Sequence, residues 1–283
     1  LETLLVFLED TQPKEMQRYK TVYGENYEQQ LLKRLNDEIK VNGMVHVFRN
    51  GITDRGLKLK LAFFKPETSL NPGDMELYQK NIFHIARQFK YSLKNENSID
   101  MVLLVNGLPL VALELKNQFT GQNVDNAKRQ FMYDRDPKEL VFEFNKRFLV
   151  YFAVDHYEAW MTTKLEGANT YFLPFNQGSN GAGNVGGKGN PIVQEGYTTS
   201  YLWEQVLTTD SLMEILKKYI HLDKEIVENK KTGKKTTKER LIFPRYHQLD
   251  VVTKLLADVK ENGSGKNYLI QHSAGSGKSN SIA

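Results

Sequence analysis

Asp100 and the tripeptide Glu114-Leu115-Lys116 carry the clearest chemistry in this chain of 283 residues. Glu114 and Lys116 stand at i and i+2 of an apolar, strand-like run, so their side chains share one face. Two carboxylates that converge on one point suit a hard divalent cation such as Mg²⁺, which prefers oxygen ligands. Such a cation polarises a phosphoryl oxygen and helps make hydroxide from water. A neighbouring lysine positions that water or stabilises developing negative charge. Together these are the parts needed for phosphodiester hydrolysis. Downstream, Gln130 and Tyr133 are three apart on the next expected helix, Asn123 to Asp134, where they share a face and could assist the lysine.

The elements that must position these residues set a condition. Ile99 to Val105 and Leu108 to Leu115 read as strands split by Asn106-Gly107, a strong hairpin signal. A clean two-residue turn would pair Val105 with Leu108 and set Asp100 opposite Leu113, leaving Glu114 on the other face. An odd loop or a bulge puts Asp100 and Glu114 on one face. A three-residue loop, Val105-Asn106-Gly107, with Gly107 left-handed, would satisfy this. The metal site therefore requires an odd loop or a bulge.

A second group of residues is Ala274-Gly275-Ser276-Gly277-Lys278-Ser279. It follows the apolar run Tyr268 to Gln271, read as a short buried strand, and opens an expected helix, the setting of a phosphate-binding loop. Glycines let backbone N–H groups wrap phosphate oxygens. Lys278 would reach the β- and γ-phosphates of ATP, and the Ser279 hydroxyl would hold Mg²⁺. His272 stands where a strict GxxxxGK[ST] pattern has its first glycine. Upstream, Phe243-Pro-Arg-Tyr-His-Gln248 places a glutamine whose amide matches the hydrogen-bonding edge of adenine. Only four residues follow Ser279, so an acidic segment for a complete NTPase is absent, and the chain reads as cut inside a second domain.

Composition bounds the rest. Hydrophobic residues at 40% and charged residues at 25% exclude a disordered chain, a collagen-like repeat and a rod. No apolar run reaches the roughly 18–20 residues of a membrane span, and no leader peptide is read at Leu1 to Asp10. The absence of cysteine excludes disulfides and cysteine metal sites and fits a cytoplasmic protein. The net charge of +4 is local. Asn229 to Arg240 carries +5, leaving −1 for all other residues. That segment reads as a loop or linker, either touching a phosphate backbone or simply solvated.

Along the chain, Asn26 to Lys40 reads as an amphipathic helix stopped by Gly43. Met44 to Pro66 reads as two strands around Asn50-Gly51. Asn71-Pro72 reads as a cap and first turn of a helix running to about Tyr91. Phe148 to Val154 and Glu158 to Thr163 read as a hairpin about Asp155-His156. Asn176 to Asn190, with six glycines, reads as a long loop. Ser200 to Ile220 and Tyr246 to Lys260 read as helices.

This order resembles the N-terminal part of the restriction (R, HsdR-type) subunit of type I restriction–modification enzymes. The likeness lies in Asp100, Glu114-Leu115-Lys116, Tyr171-Phe-Leu-Pro-Phe-Asn176, Gly196-Tyr-Thr-Thr-Ser-Tyr-Leu-Trp-Glu204, and Pro244-Arg-Tyr-His-Gln248 with the phosphate loop, which is similar to motif I of superfamily 2 helicases. The resemblance implies an α/β, restriction-endonuclease-like PD-(D/E)xK core of αβββαβ order at residues 1–165. A connector would follow at 166–240, then the start of a RecA-like superfamily 2 helicase domain at 241–283. It implies catalysis by Asp100, Glu114 and Lys116 with Mg²⁺ on the two carboxylates, and ATP held by Gln248, Gly275, Ser276, Gly277, Lys278 and Ser279. It implies double-stranded DNA as substrate, and modification and specificity subunits as partners. The family's helper pair is usually spaced QxxxY; here Gln130 to Tyr133 is one residue shorter. The other readings are a helicase–nuclease of DNA repair and a DNA-binding scaffold with a degenerate nuclease fold.

Overall fold

The computed structural model describes residues 1–68, 70–92, 94–228, 233, 235–272 and 277. The chain opens with four helices, α1 (Glu2–Thr11), α2 (Pro13–Tyr23), α3 (Tyr27–Asn42) and α4 (Met44–Asn50). A small hairpin follows, β1 (Ile52–Asp54) and β2 (Leu57–Leu59), and then α5 (Pro72–Gln79). The main sheet is built from β3 (Phe83–Lys90), β4 (Ser98–Val105), β5 (Leu108–Leu115), then helix α6 (Val124–Tyr133), then β6 (Val150–Val154), β7 (Ala159–Thr162) and β8 (Leu173–Pro174). Its strands lie in sequence order, antiparallel except for the parallel pair β5–β6. Helix α6 makes the crossover that a parallel pair requires. From α5 to β6 the order is the expected αβββαβ.

Strand alternation buries both faces of the sheet. Leu103, Val105, Val111, Leu113, Val150 and Phe152 pack with the first four helices. Val102, Ala112, Tyr151 and Ala153 pack with Val124, Ala127 and Phe131 of α6. Leu31, Leu35 and Ile39 of α3, four residues apart, put one stripe into the first cluster. Among the described residues no helix is long and apolar enough to cross a membrane.

The Asn106-Gly107 turn is a two-residue turn, with Val105 opposite Leu108, so the three-residue loop does not form. Asn106 at φ 51° and Gly107 at φ 79° are both left-handed, as a type I′ turn requires. The bulge does form. Leu104 pairs with Pro109, but Leu103 pairs with Val111, which leaves Leu110 extra. Leu110 and Val111 are consecutive, yet both are buried in the same apolar cluster, as a bulge allows. Proline has no N–H for a ladder, so Pro109 in an interior strand is accommodated beside the bulge.

Several expectations need correction. Met44 to Asn50 is helical, not a strand. Asn145 accepts the Met44 N–H at its main-chain oxygen and the Val45 N–H at Oδ1, which satisfies donors at the start of α4. The hairpin turn therefore falls at Arg55-Gly56. Asn71 does cap α5, accepting the Gly73 N–H, but the helix stops at Gln79 and Phe83 to Lys90 is strand β3. Buried amides decide this. Asn81 donates to Tyr78 O and Phe63 O, while Asn106 Oδ1 accepts the Ile82 N–H at 2.7 Å and the Asn106 N–H bonds Ile82 O at 2.8 Å. Ile85, inside the stretch read as that helix, is exposed on the strand.

Ser200 to Ile220 is helical in three pieces, π-type turns at Leu202–Val206 and Ile215–Tyr219 flanking α7 (Thr209–Glu214). The basic segment is not a loop throughout. It lies partly in a hairpin of β9 (His221–Glu228) and β10 (Lys235–Ile242). There Lys235, Lys238 and Arg240 stand opposite Glu228, Glu225 and Asp223, so these cations face carboxylates on the neighbouring strand. Lys230, Lys231 and Lys234 lie outside the described residues. Helix α8 (Tyr246–Asn262) follows. Tyr268 to Gln271 forms no strand and is exposed, because among the described residues no strand lies beside it to take its backbone bonds. Tyr201, Leu202, Phe243 and Tyr246 join the same apolar cluster as α1 to α4.

Asn106 is fully buried, and its amide also donates to Leu61 O and Asn81 Oδ1. Replacing Asn106 with Ala should destabilise the chain by about 3 kcal/mol, through stranded polar groups and a left-handed backbone. Asn106→Gly, free of the backbone strain, should cost about 1 kcal/mol less. Urea unfolding measures both, and a loss under about 0.5 kcal/mol in Asn106→Ala would refute the role of this amide.

Candidate active site

The bulge decides where the carboxylates go. Val102 and Ala112 are directly opposite one another on the α6 face of the sheet. Glu114, two residues past Ala112, continues on that face, and Asp100, two residues before Val102, lies beside it. Asp100 is partly exposed. Its Oδ2 accepts the Leu115 N–H at 2.9 Å and its Oδ1 accepts from Gln88 Nε2 at 3.1 Å. Gln88 is itself left-handed, at φ 49°, in edge strand β3.

Glu114 is fully buried at the centre of the sheet. Its partner is Arg135, also buried, which stands just past the end of α6. Arg135 Nη2 and Nε donate to the same oxygen, Glu114 Oε1, at 2.6 and 3.1 Å. Nη2 also donates to Ser98 O at 2.7 Å, and the guanidinium lies over the Tyr91 ring. Glu114 Oε2 is buried and takes no donor among the described residues, and the Asp100 carboxylate lies beside this carboxyl. Burial, aided by the Asp100 carboxylate, pushes the Glu114 carboxyl up to about 8, against the pull of the Arg135 charge.

Lys116 lies just beyond β5, where its N–H still bonds Val154 O of β6 at 2.9 Å. It is two residues from Glu114 and on the same side of the strand. Its ammonium donates to Gln130 Oε1 on α6. The helix is fixed at its N-terminal end. Asn123 caps it with a reciprocal bond to Asn126, and Asp155 Oδ2, just after β6, accepts the Val124 N–H at 2.8 Å. Asp100 and Glu114 thus stand beside each other at one end of adjacent strands, and Lys116, two residues beyond Glu114, bonds Gln130. Tyr133 is exposed on α6, with no hydrogen bond to the group.

Arg135 is the site residue that sequence reasoning missed. Asp134-Arg-Asp136 looks like a solvated charged turn, and the one available signal is a cation in the turn that ends the helix over the carboxylate strands.

The second expected group is described only in part. Gln248 is buried; its Oε1 accepts the Arg245 N–H at 2.8 Å and its Nε2 donates to Gly277 O at 2.7 Å. The structure therefore joins Gln248 to Gly277, the one described residue of that motif. Gly275, Ser276, Lys278 and Ser279 lie outside the described residues.

Fold and site together define a mixed α/β domain that carries two carboxylates and a lysine on its central strands. The family model for the "Type I restriction enzyme R protein N terminus" matches residues 8–170, more than half of the chain, and those residues include the whole carboxylate site. The chain belongs to this family. A protein of Methanocaldococcus jannaschii named "Putative type I restriction enzyme MjaVIIIP endonuclease subunit" is 24% identical over 270 residues. The match covers 90% of this chain and 23% of that protein, so the chain spans under a quarter of its relative's length.

Arg135 is the charge that pulls Glu114 toward its ionised form, and breaking such a buried pair commonly costs about 3–5 kcal/mol. Above about pH 8, where Glu114 is ionised, Arg135→Met should destabilise the chain by about 3 kcal/mol, and adding Glu114→Gln should recover most of the loss. Chemical denaturation of both singles and the double tests this; fully additive losses would show that the pair does not act as one unit.

Proposed function

We propose that this chain is the nuclease-bearing N-terminal part of the R subunit of a type I restriction enzyme. Its reaction is hydrolysis of phosphodiester bonds in double-stranded DNA, in a PD-(D/E)xK arrangement. The observation that carries the reading is the bulge at Leu110, which turns Asp100 and Glu114 to one face beside Lys116.

The donor set suits Mg²⁺. Among the described residues no three histidines or carboxylates cluster for a metal, but Mg²⁺ commonly takes one or two carboxylates and fills its shell with water and phosphate. Glu114 Oε2, buried and unpartnered, is the oxygen such a site would use, with Asp100 beside it. Bound Mg²⁺ would supply Lewis-acid polarisation of the phosphoryl oxygen and a more acidic water. Lys116 orients the attacking water and offsets charge on the phosphate in the transition state. Gln130 holds the Lys116 ammonium in place, and the apolar packing of α6 over the strands limits its motion. Tyr133, exposed on the same helix, is available to the DNA backbone.

In this reading the segment from about residue 241 begins a RecA-like motor that consumes ATP. Gln248 would read adenine, and Gly275, Ser276, Gly277, Lys278 and Ser279 would hold the phosphates. Modification and specificity subunits would complete the cytoplasmic assembly and bring it to its DNA. Translocation would deliver DNA to the nuclease site.

The test uses the full-length R subunit assembled with those partners. Glu114→Gln and Lys116→Ala should each lower double-strand cleavage by at least 100-fold (about 2.7 kcal/mol or more of barrier) and leave ATP-driven translocation intact. Cleavage at the normal rate in both variants would overturn the assignment.

The raised Glu114 pKa gives a second test. The protonated carboxyl cannot ligate, so a proton competes with the cation below about pH 8. Mg²⁺ affinity should rise about tenfold per pH unit from pH 6 toward 8 and then level off. The Mg²⁺ midpoint of cleavage measures this, and a midpoint flat over that range would contradict it.

A further inference from the structure

Arg135 and Glu114 form an unusual pair. An arginine facing a carboxylate commonly places two parallel N–H groups on two different oxygens. Here Nε and Nη2 both go to Oε1, and Nη2 is further tied to Ser98 O. Nη1 donates to Asp134 O at 3.4 Å and Tyr91 OH at 3.5 Å, and the guanidinium lies over the Tyr91 ring, 5.4 Å from its centroid; that ring packs on Phe142. The arginine is locked by its own surroundings and grips the glutamate by one side. The other oxygen, Oε2, is buried and takes no donor among the described residues, with the Asp100 carboxylate beside the group. It lies on the face that Glu114 shares with Asp100 and, two residues on, Lys116.

We propose that Arg135 is a positioning residue of the nuclease site, clamping Glu114 through Oε1 so that Oε2 is fixed toward a divalent cation shared with Asp100. The inference rests on the nuclease reading above and adds to it a residue and a division of labour. One oxygen of Glu114 belongs to the protein and the other to the cation. The same helix then sets two parts of the site. Gln130, on its last turn, holds Lys116, and Arg135, two residues past its end, holds Glu114. An arginine suits the task better than a lysine because its rigid fork holds the carboxylate at one angle, whereas an ammonium fixes only a distance.

The experiment compares Arg135→Met and Arg135→Lys in the full-length R subunit with its partner subunits. Mn²⁺ serves as the probe, and its binding without nucleotide is followed by the paramagnetic resonance of the free ion. Only the portion lost in Glu114→Gln is assigned to this site. Arg135→Met should weaken that portion at least fivefold and slow cleavage at saturating Mg²⁺ at least tenfold, while translocation stays at the wild-type rate. Arg135→Lys should recover most of the Mn²⁺ affinity but less of the cleavage rate, because it keeps a donor to Oε1 and loses the fork.

A purely structural arginine would behave differently. Its loss would lower the melting temperature and leave Glu114-dependent Mn²⁺ binding unchanged in the folded protein, and that result overturns the proposal. Tighter Mn²⁺ binding in Arg135→Met also overturns it, since the arginine would then act by repelling the cation. Should Arg135→Met fail to fold, Arg135→Lys decides alone, and wild-type affinity with wild-type cleavage rejects the clamp. If Glu114→Gln itself binds Mn²⁺ and cleaves normally, the nuclease reading has failed rather than this addition to it.

Discussion

One extra residue governs this domain. The side chains of a strand alternate with a period of two, so an insertion of one residue reverses every face beyond it. The bulge at Leu110 does this within β5. On its turn side, the ladder follows the two-residue turn at Asn106-Gly107. On its far side, Asp100 and Glu114 are brought to one face, over which α6 packs. Without the bulge Glu114 would point among the helices α1 to α4, away from Asp100 and Gln130. The interior of the protein favours the same register. Val102 and Ala112 beneath α6, and Leu103 and Leu113 against the first helices, occupy buried positions that a slip of one residue would exchange.

The second constraint is electrostatic. A carboxylate at the centre of a sheet loses its water, and the cost is several kcal/mol unless another charge or hydrogen bond compensates. Arg135 supplies part of that compensation, and Glu114 still has a raised pKa. The incomplete balance suits a ligand site better than a structural ion pair, since a fully satisfied carboxylate would have nothing left to offer a cation. Perturbed ionisation and an unpartnered buried oxygen fall on the same residue, which is where function concentrates such strain.

Local patterns were legible wherever the cause was local. The α3 helix follows from Leu31, Leu35 and Ile39, the α5 cap from Asn71-Pro72, and the β4–β5 and β6–β7 hairpins from their apolar runs and polar turns. Errors arose where distant groups intervened. Asn145 initiates a helix at Met44 from a hundred residues away, and Asn81 with Asn106 turns a helix-like stretch into strand β3. The bulge was legible as a requirement of the chemistry. It was also written in Pro109, since an interior strand tolerates a residue without an N–H only where the ladder is interrupted.

By itself, then, the sequence determined the residue types of the site, the spacing of Glu114 and Lys116 on one strand face, and the need for a register change between Asp100 and Glu114. Those facts depend on the two-residue period of a strand, which a few neighbouring residues suffice to set. Only the tertiary structure decided that Gln130 reaches Lys116, that Tyr133 faces outward, and that Arg135 takes one oxygen of Glu114 and leaves the other. These depend on how α6 crosses the sheet between β5 and β6, and that crossing is set by packing among residues far apart in the chain.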